Sequence, residues 1–154
     1  MSCRPGRAQT ISCRATRKPK ERDDGWRQDP DEQAIHALAE KYCVSLHHAR
    51  ATVFEDMCHD RFLMTAVDGA GGAVYWDKPA FIARVAGRDP FPGDPSYEIL
   101  GLDVAGGEIA RVHLWVDIPP RRFEDHLGFF RFGGEWKLIT KVFRTMAGPA
   151  LADG

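Results

Sequence analysis

Asp125 is the residue whose chemical type and surroundings point most directly to chemistry. It lies in the stretch 121–146, where Gly133-Gly134 separates two runs rich in aromatic and β-branched residues. This pattern predicts a β-hairpin closed by a two-residue turn. Because side chains alternate between the faces of a strand, pairing without a bulge puts Asp125 on a largely apolar face. That face collects Phe123, Asp125, Leu127, Phe129, Trp136, Leu138, Thr140 and Val142, and the opposite face collects Glu124, His126, Lys137, Lys141 and Phe143.

A lone carboxyl group on an apolar face has two interpretations. Desolvation raises the pKa of a buried carboxyl group, and a raised pKa suits a general acid or base. In this interpretation Asp125 is a catalytic residue. In the other, Asp125 accepts hydrogen bonds from a nearby Arg, Trp or backbone group and is structural. The sequence leaves both open.

The strand before the hairpin supplies the neighbours of Asp125. Apolar and polar residues alternate over Ile109–Ile118, and Pro119-Pro120 interrupts the ladder because proline lacks a backbone donor. If the two prolines form the connection, Leu114 lies opposite Asp125. The same register predicts a cross-strand row on the second face, which is either a rival site or a polar, solvated or subunit-contacting surface: His113, His126 and Lys141.

Other candidate residues come from elements that must position the site. His59 lies where a predicted helix, Ala51–Met57, passes into a strand. It is a candidate second proton carrier or hydrogen-bond donor, or alternatively a cap bonded to the backbone. We expect Tyr42 and Trp76 to line a pocket with the neighbours of Asp125. His113 and Trp115 would join them only if the strand faces were reversed. The predicted ligand-binding set is Tyr42, Trp76, Leu114, Phe123, Leu127, His113 and Trp115.

The order of elements predicts the fold class. Asp29-Pro30 followed by Glu32 is typical of a helix start, and apolar residues recur at helical spacing to about His48. Two shorter helices and several long strands follow, an α+β layout. We expect a curved antiparallel sheet wrapped on the long N-terminal helix, a cone with a central pocket. The expected boundaries are a disordered basic tail over 1–28, the domain over 29–147 and a frayed end over 148–154.

Composition excludes several classes of function. The 154 residues are 44% hydrophobic and 28% charged, with a net charge of −1, which gives no argument for nucleic acid or for a membrane surface. No apolar run approaches the roughly 18 residues that cross a bilayer. The four cysteines lack metal-type spacing and read as free thiols of a reducing compartment. We therefore expect a cytoplasmic protein with no metal and no cofactor.

The hairpin also carries a resemblance. The phrase F-E-D-H-L-G-F-F-R-F-G-G-E-W-K-L-I-T-K-V-F resembles the nuclear transport factor 2-like superfamily, in its branch named "Putative lumazine-binding", near the SnoaL-like and ketosteroid isomerase-like proteins. His126 stands where the branch has Tyr, and Arg61 stands near its Asp. The resemblance spans about 31–145. The matching positions are Asp125-His126-Leu127, Gly134, Trp136-Lys137-Leu138, Lys141-Val142-Phe143 and, earlier, His59.

Two function hypotheses follow. The superfamily includes isomerases, dehydratases, cyclases, hydrolases and proteins without catalysis, so the fold alone does not choose among them. The first hypothesis is an acid–base enzyme acting on a small apolar or cyclic substrate, with Asp125 and His59 as catalytic residues. The second is a ligand-binding or dimerisation module without catalysis. The resemblance and the aromatic residues of the second sheet face both imply a homodimer.

Overall fold

The computed structural model describes residues 29–151. The tail predicted over 1–28 lies outside the described residues, as do 152–154. The chain divides into two compact units after Gln33. The described part of the first unit, 29–33, begins helix α1, where Asp29 Oδ1 accepts hydrogen bonds from the backbone N–H of Asp31 and Glu32 at 2.8 and 3.1 Å. The predicted helix start is therefore confirmed.

The described residues form three helices and six strands. The expected α+β class is confirmed, with the strands forming one sheet in the order β2-β1-β6-β5-β4-β3. The elements are α1 (Pro30–His47), α2 (Ala51–Met57), β1 (Cys58–Val67), β2 (Ala73–Asp77), α3 (Lys78–Ala86), β3 (Tyr97–Ala105), β4 (Ile109–Ile118), β5 (Arg121–Phe132) and β6 (Glu135–Ala147).

The sheet is mixed rather than wholly antiparallel. Four neighbouring pairs are antiparallel, but β1 runs parallel to β6. These two strands are far apart in sequence, so no hairpin fixes their relative direction. The prediction of an antiparallel sheet is wrong at this one pair.

The register of β4 and β5 is the predicted one. Leu114 pairs with Asp125, and His113 pairs with His126. The β5–β6 hairpin also follows the prediction from its turn as far as the pair Phe129–Leu138. The alternation of apolar and polar residues thus fixed these faces correctly.

A β-bulge at Ile139 changes the rest of the hairpin. Phe129 pairs with Leu138 but Gly128 pairs with Thr140, so Ile139 is an extra residue on β6. An extra residue reverses the faces of all residues that follow it. Lys141 and Phe143 are therefore buried and Val142 is exposed, and the predicted placement of these three residues is wrong.

The core lies between α1 and the sheet face that carries Asp125, Leu127 and Phe129, which we call the inner face. Apolar residues of α1 at helical spacing, such as Ile35 and Leu46, are buried, as are those of α2 and α3. Leu151, within the segment that we expected to fray, is only 7% exposed. The helices therefore cover the inner face, and the opposite, outer face of the sheet carries the polar residues of each strand.

Candidate functional site

Asp125 lies at the centre of the inner face and is fully buried. Its Oδ2 accepts a hydrogen bond from the Tyr42 hydroxyl at 2.5 Å. Its Oδ1 is also covered and has no hydrogen-bond partner among the described residues. The helix α1 brings Tyr42 to this position because Tyr42 belongs to its apolar stripe. A carboxyl group with one satisfied and one unsatisfied oxygen is a costly arrangement in an interior.

Lys141 is the second charged residue of the inner face, and the sequence prediction placed it on the other side. Its Nζ lies 3.8 Å from Asp125 Oδ2, and the residue is 6% exposed. The rings of Tyr42, Phe81 and Phe143 surround the Nζ, with centroids 5.4, 5.3 and 4.8 Å away. The expected lone carboxyl group is therefore wrong, and the interior contains an acid–base pair.

Burial controls the protonation of this pair. Desolvation raises the pKa of Asp125, although Lys141 and the Tyr42 hydroxyl act in the opposite direction. Desolvation likewise lowers the pKa of Lys141, against the attraction of Asp125. The pKa of Tyr42 is raised by burial and by Asp125, so its hydroxyl keeps its proton. Both shifts favour the uncharged forms of Asp125 and Lys141, which are the forms that exchange protons near neutral pH.

Lys141 connects the pair to a cavity of about 370 Å³. This volume falls in the usual range for small-molecule sites. Asp125 and Tyr42 do not line the cavity, so Lys141 is the member of the cluster that reaches it. The lining residues come from α1, β1, α3 and the loop after it, the end of β4, the β4–β5 connection, β5, β6 and the segment after β6: Leu46, Met64, Phe81, Ala83, Arg84, Val85, Gly87, Arg88, Phe91, Ile118, Pro119, Arg121, Phe123, Lys141, Phe143 and Leu151.

The predicted pocket residues near the cavity fall into four groups. Phe123 lines the cavity. Trp76 lies one layer behind it, with its ring centroid 5.7 Å from that of Phe143. Leu114 and Leu127 are buried beside Asp125 without lining the cavity. Tyr42 belongs to the site through its bond to Asp125 rather than as a lining group.

The three remaining predicted site residues are away from this cluster. His59 packs against Phe130 and Phe132, with ring centroids 5.2 and 4.7 Å apart, and its Nδ1 accepts from the backbone N–H of Arg61. The structure thus does not bring His59 together with Asp125. The last two lie on the outer face: His113 binds Glu124 at 2.6 Å, and Trp115 binds Glu98 at 3.1 Å.

Sequence reasoning missed the cations of the cavity. Arg84 and Arg88 come from α3 and the loop after it, and Arg121 begins β5. The available signal was the repeat of arginine around the third helix, which reads equally well as a solvated surface. The described residues contain no group of three His, Cys, Asp or Glu side chains that could hold a metal ion, and none of their helices is long and apolar enough to cross a bilayer.

The architecture is that of an α+β small-molecule pocket protein, with helices covering one face of a curved sheet. The family described as "Putative lumazine-binding" matches residues 30–144. The chain therefore belongs to this family, and the resemblance noted in the sequence is confirmed. Among curated proteins, none matches the chain.

Solved structures support the same fold. An NTF2-like protein of unknown function from Silicibacter pomeroyi DSS-3 is 26% identical with a TM-score of 0.67, over 73% of this chain and 93% of that one. An NTF2-like protein of unknown function from Shewanella baltica OS155 is 19% identical with a TM-score of 0.67, over 75% and 96%. A ketosteroid isomerase-like protein from Erwinia carotovora atroseptica SCRI1043 is 13% identical with a TM-score of 0.58, over 74% and 95%.

Proposed function

We propose that the protein binds a small, largely apolar molecule in this cavity and moves a proton on it without a cofactor. The observation that carries this proposal is the Lys141–Asp125 pair, buried under aromatic rings with Lys141 at the cavity wall. Isomerases, dehydratases and cyclases all use such a step. In this proposal the acid–base role that we predicted for Asp125 belongs to Lys141, and Asp125 positions Lys141.

The roles follow from position. The uncharged amine of Lys141 removes a proton from an acidic C–H or O–H group of the substrate and returns it to another atom. The ammonium group formed meanwhile is stabilised by the negative charge left on the substrate and by the lone pairs of Asp125 Oδ2, which lies 3.8 Å away. The Tyr42 hydroxyl holds Asp125 in place through its hydrogen bond to Oδ2. Asp125 and Tyr42 are positioning residues here, because neither lines the cavity.

Deuterium exchange tests the proposal. Small cyclic ketones that raise the melting temperature of the protein would be incubated with it in D₂O, and exchange at the carbon next to the carbonyl followed by NMR. We expect Lys141→Met to lower the exchange rate by about 10²–10⁴, the usual contribution of general acid–base catalysis, while binding persists. Lys137→Met is the matched control, since Lys137 lies on the outer face of the same strand and donates to the Asp56 carbonyl.

A non-catalytic binder is the alternative that this experiment separates. It is favoured by the fact that Asp125 is shut off from the cavity and already has Tyr42 and Lys141 as partners. Exchange rates that are equal in the wild type and in Lys141→Met, with ligand still bound, would reject the acid–base step. The pocket would then remain as a binding site.

We also propose a homodimer formed through the outer face. The register places Tyr75, Thr65, Val142, His126 and His113 in one row across five strands. Tyr75 is 61% exposed and Val142 57% exposed, so the row offers apolar contact area beside polar groups. Phe143, which we had assigned to this surface, lies on the inner face instead.

Analytical ultracentrifugation at micromolar concentration should show a dimer for the wild type and a monomer for Val142→Glu. A wild-type monomer would reject the dimer.

The remaining expectations stay part of this proposal. A cytoplasmic location and a function independent of nucleic acid rest on composition, with a net charge of −1 and no metal-type spacing among the four cysteines. Fractionation of cells and a low-salt nucleic-acid binding assay on the full chain would test them.

A further inference from the structure

All charged residues that line the cavity are basic. Four of its lining residues are cationic in their ordinary state: Arg84, Arg88, Arg121 and Lys141. None of its lining residues is Asp or Glu. Low-dielectric walls lined by charges of one sign focus the electric field and concentrate ligands of opposite sign. The apolar lining residues, including Phe81, Phe91 and Phe123, supply the rest of the surface.

The three arginines of this wall are not neutralised within the described part of the chain. No described carboxylate lies within 4 Å of their guanidinium groups, in contrast to Arg111, Arg122 and Arg144 of the outer face, which each have an ion pair. Arg84 packs over the Trp76 ring at 5.1 Å, and Arg121 Nε donates to the Pro149 carbonyl at 2.7 Å. These contacts orient the two side chains without cancelling their charges.

Arg88 is the most constrained of the three. Its Nη2 donates to the Leu46 carbonyl at 2.7 Å, and its guanidinium carbon lies 4.9 Å from the centroid of the Phe91 ring. Its Nη1 is covered and finds no acceptor among the described residues. Burial and the neighbouring Arg84 both lower the pKa of Arg88. An unsatisfied guanidinium nitrogen next to a second cation is unfavourable until an anion approaches.

We propose that the ligand of this cavity carries an oxyanion, a carboxylate or a phosphate, on an apolar, ring-containing body, and that Arg84, Arg88 and Arg121 bind the oxyanion. This inference rests on the proposed small-molecule function and names its ligand class. The anionic group faces the arginines. The ring system contacts the four phenylalanines of the cavity wall, which include Phe143. Lys141, at the same wall, is then positioned to act on the body of the ligand.

Three naphthalene probes of equal ring size test this assignment by isothermal titration calorimetry on the full chain: 1-naphthoate, 1-naphthyl phosphate and the neutral 1-naphthylmethanol. We expect at least one anion to bind about tenfold more tightly than the alcohol, since one charge-assisted hydrogen bond contributes roughly 1.5–3 kcal/mol. The tighter of the two anions identifies carboxylate or phosphate as the ligand group. Its affinity should fall as salt is raised.

Variants locate the binding group. Arg88→Met should lower anion affinity about tenfold and leave the affinity for the alcohol unchanged. Arg88→Met also removes the hydrogen bond to the Leu46 carbonyl, so a second variant is needed. Arg84→Gln serves this purpose, because Arg84 packs over the Trp76 ring and donates no hydrogen bond to the backbone of the described residues. Arg111→Gln is the matched control, since Arg111 pairs with Asp103 on the surface.

The outcomes separate the two proposals. Tight anion binding that is lost in Arg88→Met or Arg84→Gln, but not in Arg111→Gln, supports the inference. Equal affinity for the anions and the alcohol overturns it and leaves the small-molecule pocket standing. Absence of binding by all three probes overturns the pocket itself and the inference with it. Anion binding that is unchanged in both arginine variants places the anion elsewhere and also overturns the inference.

Discussion

Glu124 and Asp125 are consecutive carboxylates on β5, and they face opposite sides of the sheet. Glu124 lies on the outer face, where it binds His113 at 2.6 Å and Arg144 at 2.8 Å. Asp125 lies on the inner face, where Tyr42 donates to it at 2.5 Å and Lys141 approaches to 3.8 Å. Each carboxylate thus has a hydrogen-bond donor and a basic side chain as neighbours. Only Asp125 is shielded from water.

Burial decides the difference between these two groups. Hydrogen bonds from His113 and Arg144 lower the pKa of Glu124, because little desolvation opposes them. At Asp125, Lys141 and the Tyr42 hydroxyl also lower the pKa, but desolvation outweighs them and raises it. Glu124 therefore keeps its negative charge, while burial favours the uncharged forms of the inner pair. Proton transfer is a task for the inner pair.

Deletion of Ile139 and Thr140 together should break the comparison most severely. Lys141 would then follow Leu138 directly, and alternation along β6 would turn Lys141 outward and Val142 inward. Phe143 would leave the core and Arg144 would enter it. We expect a loss of about 4 kcal/mol or more in the free energy of unfolding, measured by urea denaturation. Deletion of Ile139 alone is the control, because Thr140 then follows Leu138 and Lys141 stays inward, and an equal loss there would contradict the explanation.

Lys141→Met should have the next largest effect. Met keeps the contacts with the aromatic rings but leaves Asp125 without its cation, and removing one partner of a buried pair costs about 3–5 kcal/mol. Because Lys141 lowers the pKa of Asp125, its removal raises that pKa further above the unfolded value, and the variant loses more stability than the wild type as the pH rises above about 4. The loss should therefore be smaller at pH 5 than at pH 8. Arg144→Met, which removes the exposed cation of Glu124, should show no loss of this size.

The double variant Asp125→Asn/Lys141→Met sharpens the same contrast. Replacement of a buried pair by neutral groups is often stabilising, by about 1–4 kcal/mol, and Asn keeps an oxygen for the Tyr42 hydroxyl. We expect the double variant to be more stable than Lys141→Met alone and at least as stable as the wild type in urea. Proton exchange on bound ketones should nevertheless be lost. A double variant less stable than both single variants would show that the pair supports the fold rather than a function.

Glu124→Gln should produce the smallest change, and with the opposite dependence on pH. Because the folded pKa of Glu124 lies below its unfolded value, its contribution to stability is present above about pH 4.5 and is lost as the pH falls through the lower folded value. The difference in melting temperature between wild type and Glu124→Gln should thus be present at pH 7 and vanish in acid. A difference that grew on acidification would contradict this assignment.

The sequence predicted local structure well because local rules govern it. Asp29-Pro30 marked the start of α1, and the two prolines at 119–120 aligned β4 with β5, so Leu114 was placed correctly beside Asp125. Phe123 lies in the cavity wall, on the face where alternation along β5 placed it. These assignments needed only capping, alternation and the missing donor of proline.

The site was predictable only in part, because its remaining features depend on tertiary packing. Ile139 and Thr140 fit either face of a strand, so nothing local marked the bulge that brings Lys141 to Asp125. Gly128, opposite Thr140, offered a weak signal, since a Cβ at this position would clash with the Thr140 hydroxyl. The arginines of the cavity come from separate elements, and only the folded chain shows that they share a wall.

The position of Leu151 shows how the size of this pocket can change. It lies beyond the last strand, yet it forms part of the cavity wall and is nearly covered. A segment outside the sheet and helices tolerates substitution and altered length far better than the elements that it covers. Members of this fold can therefore acquire a larger or smaller chamber by altering that short segment, while the Lys141–Asp125 pair stays as it is.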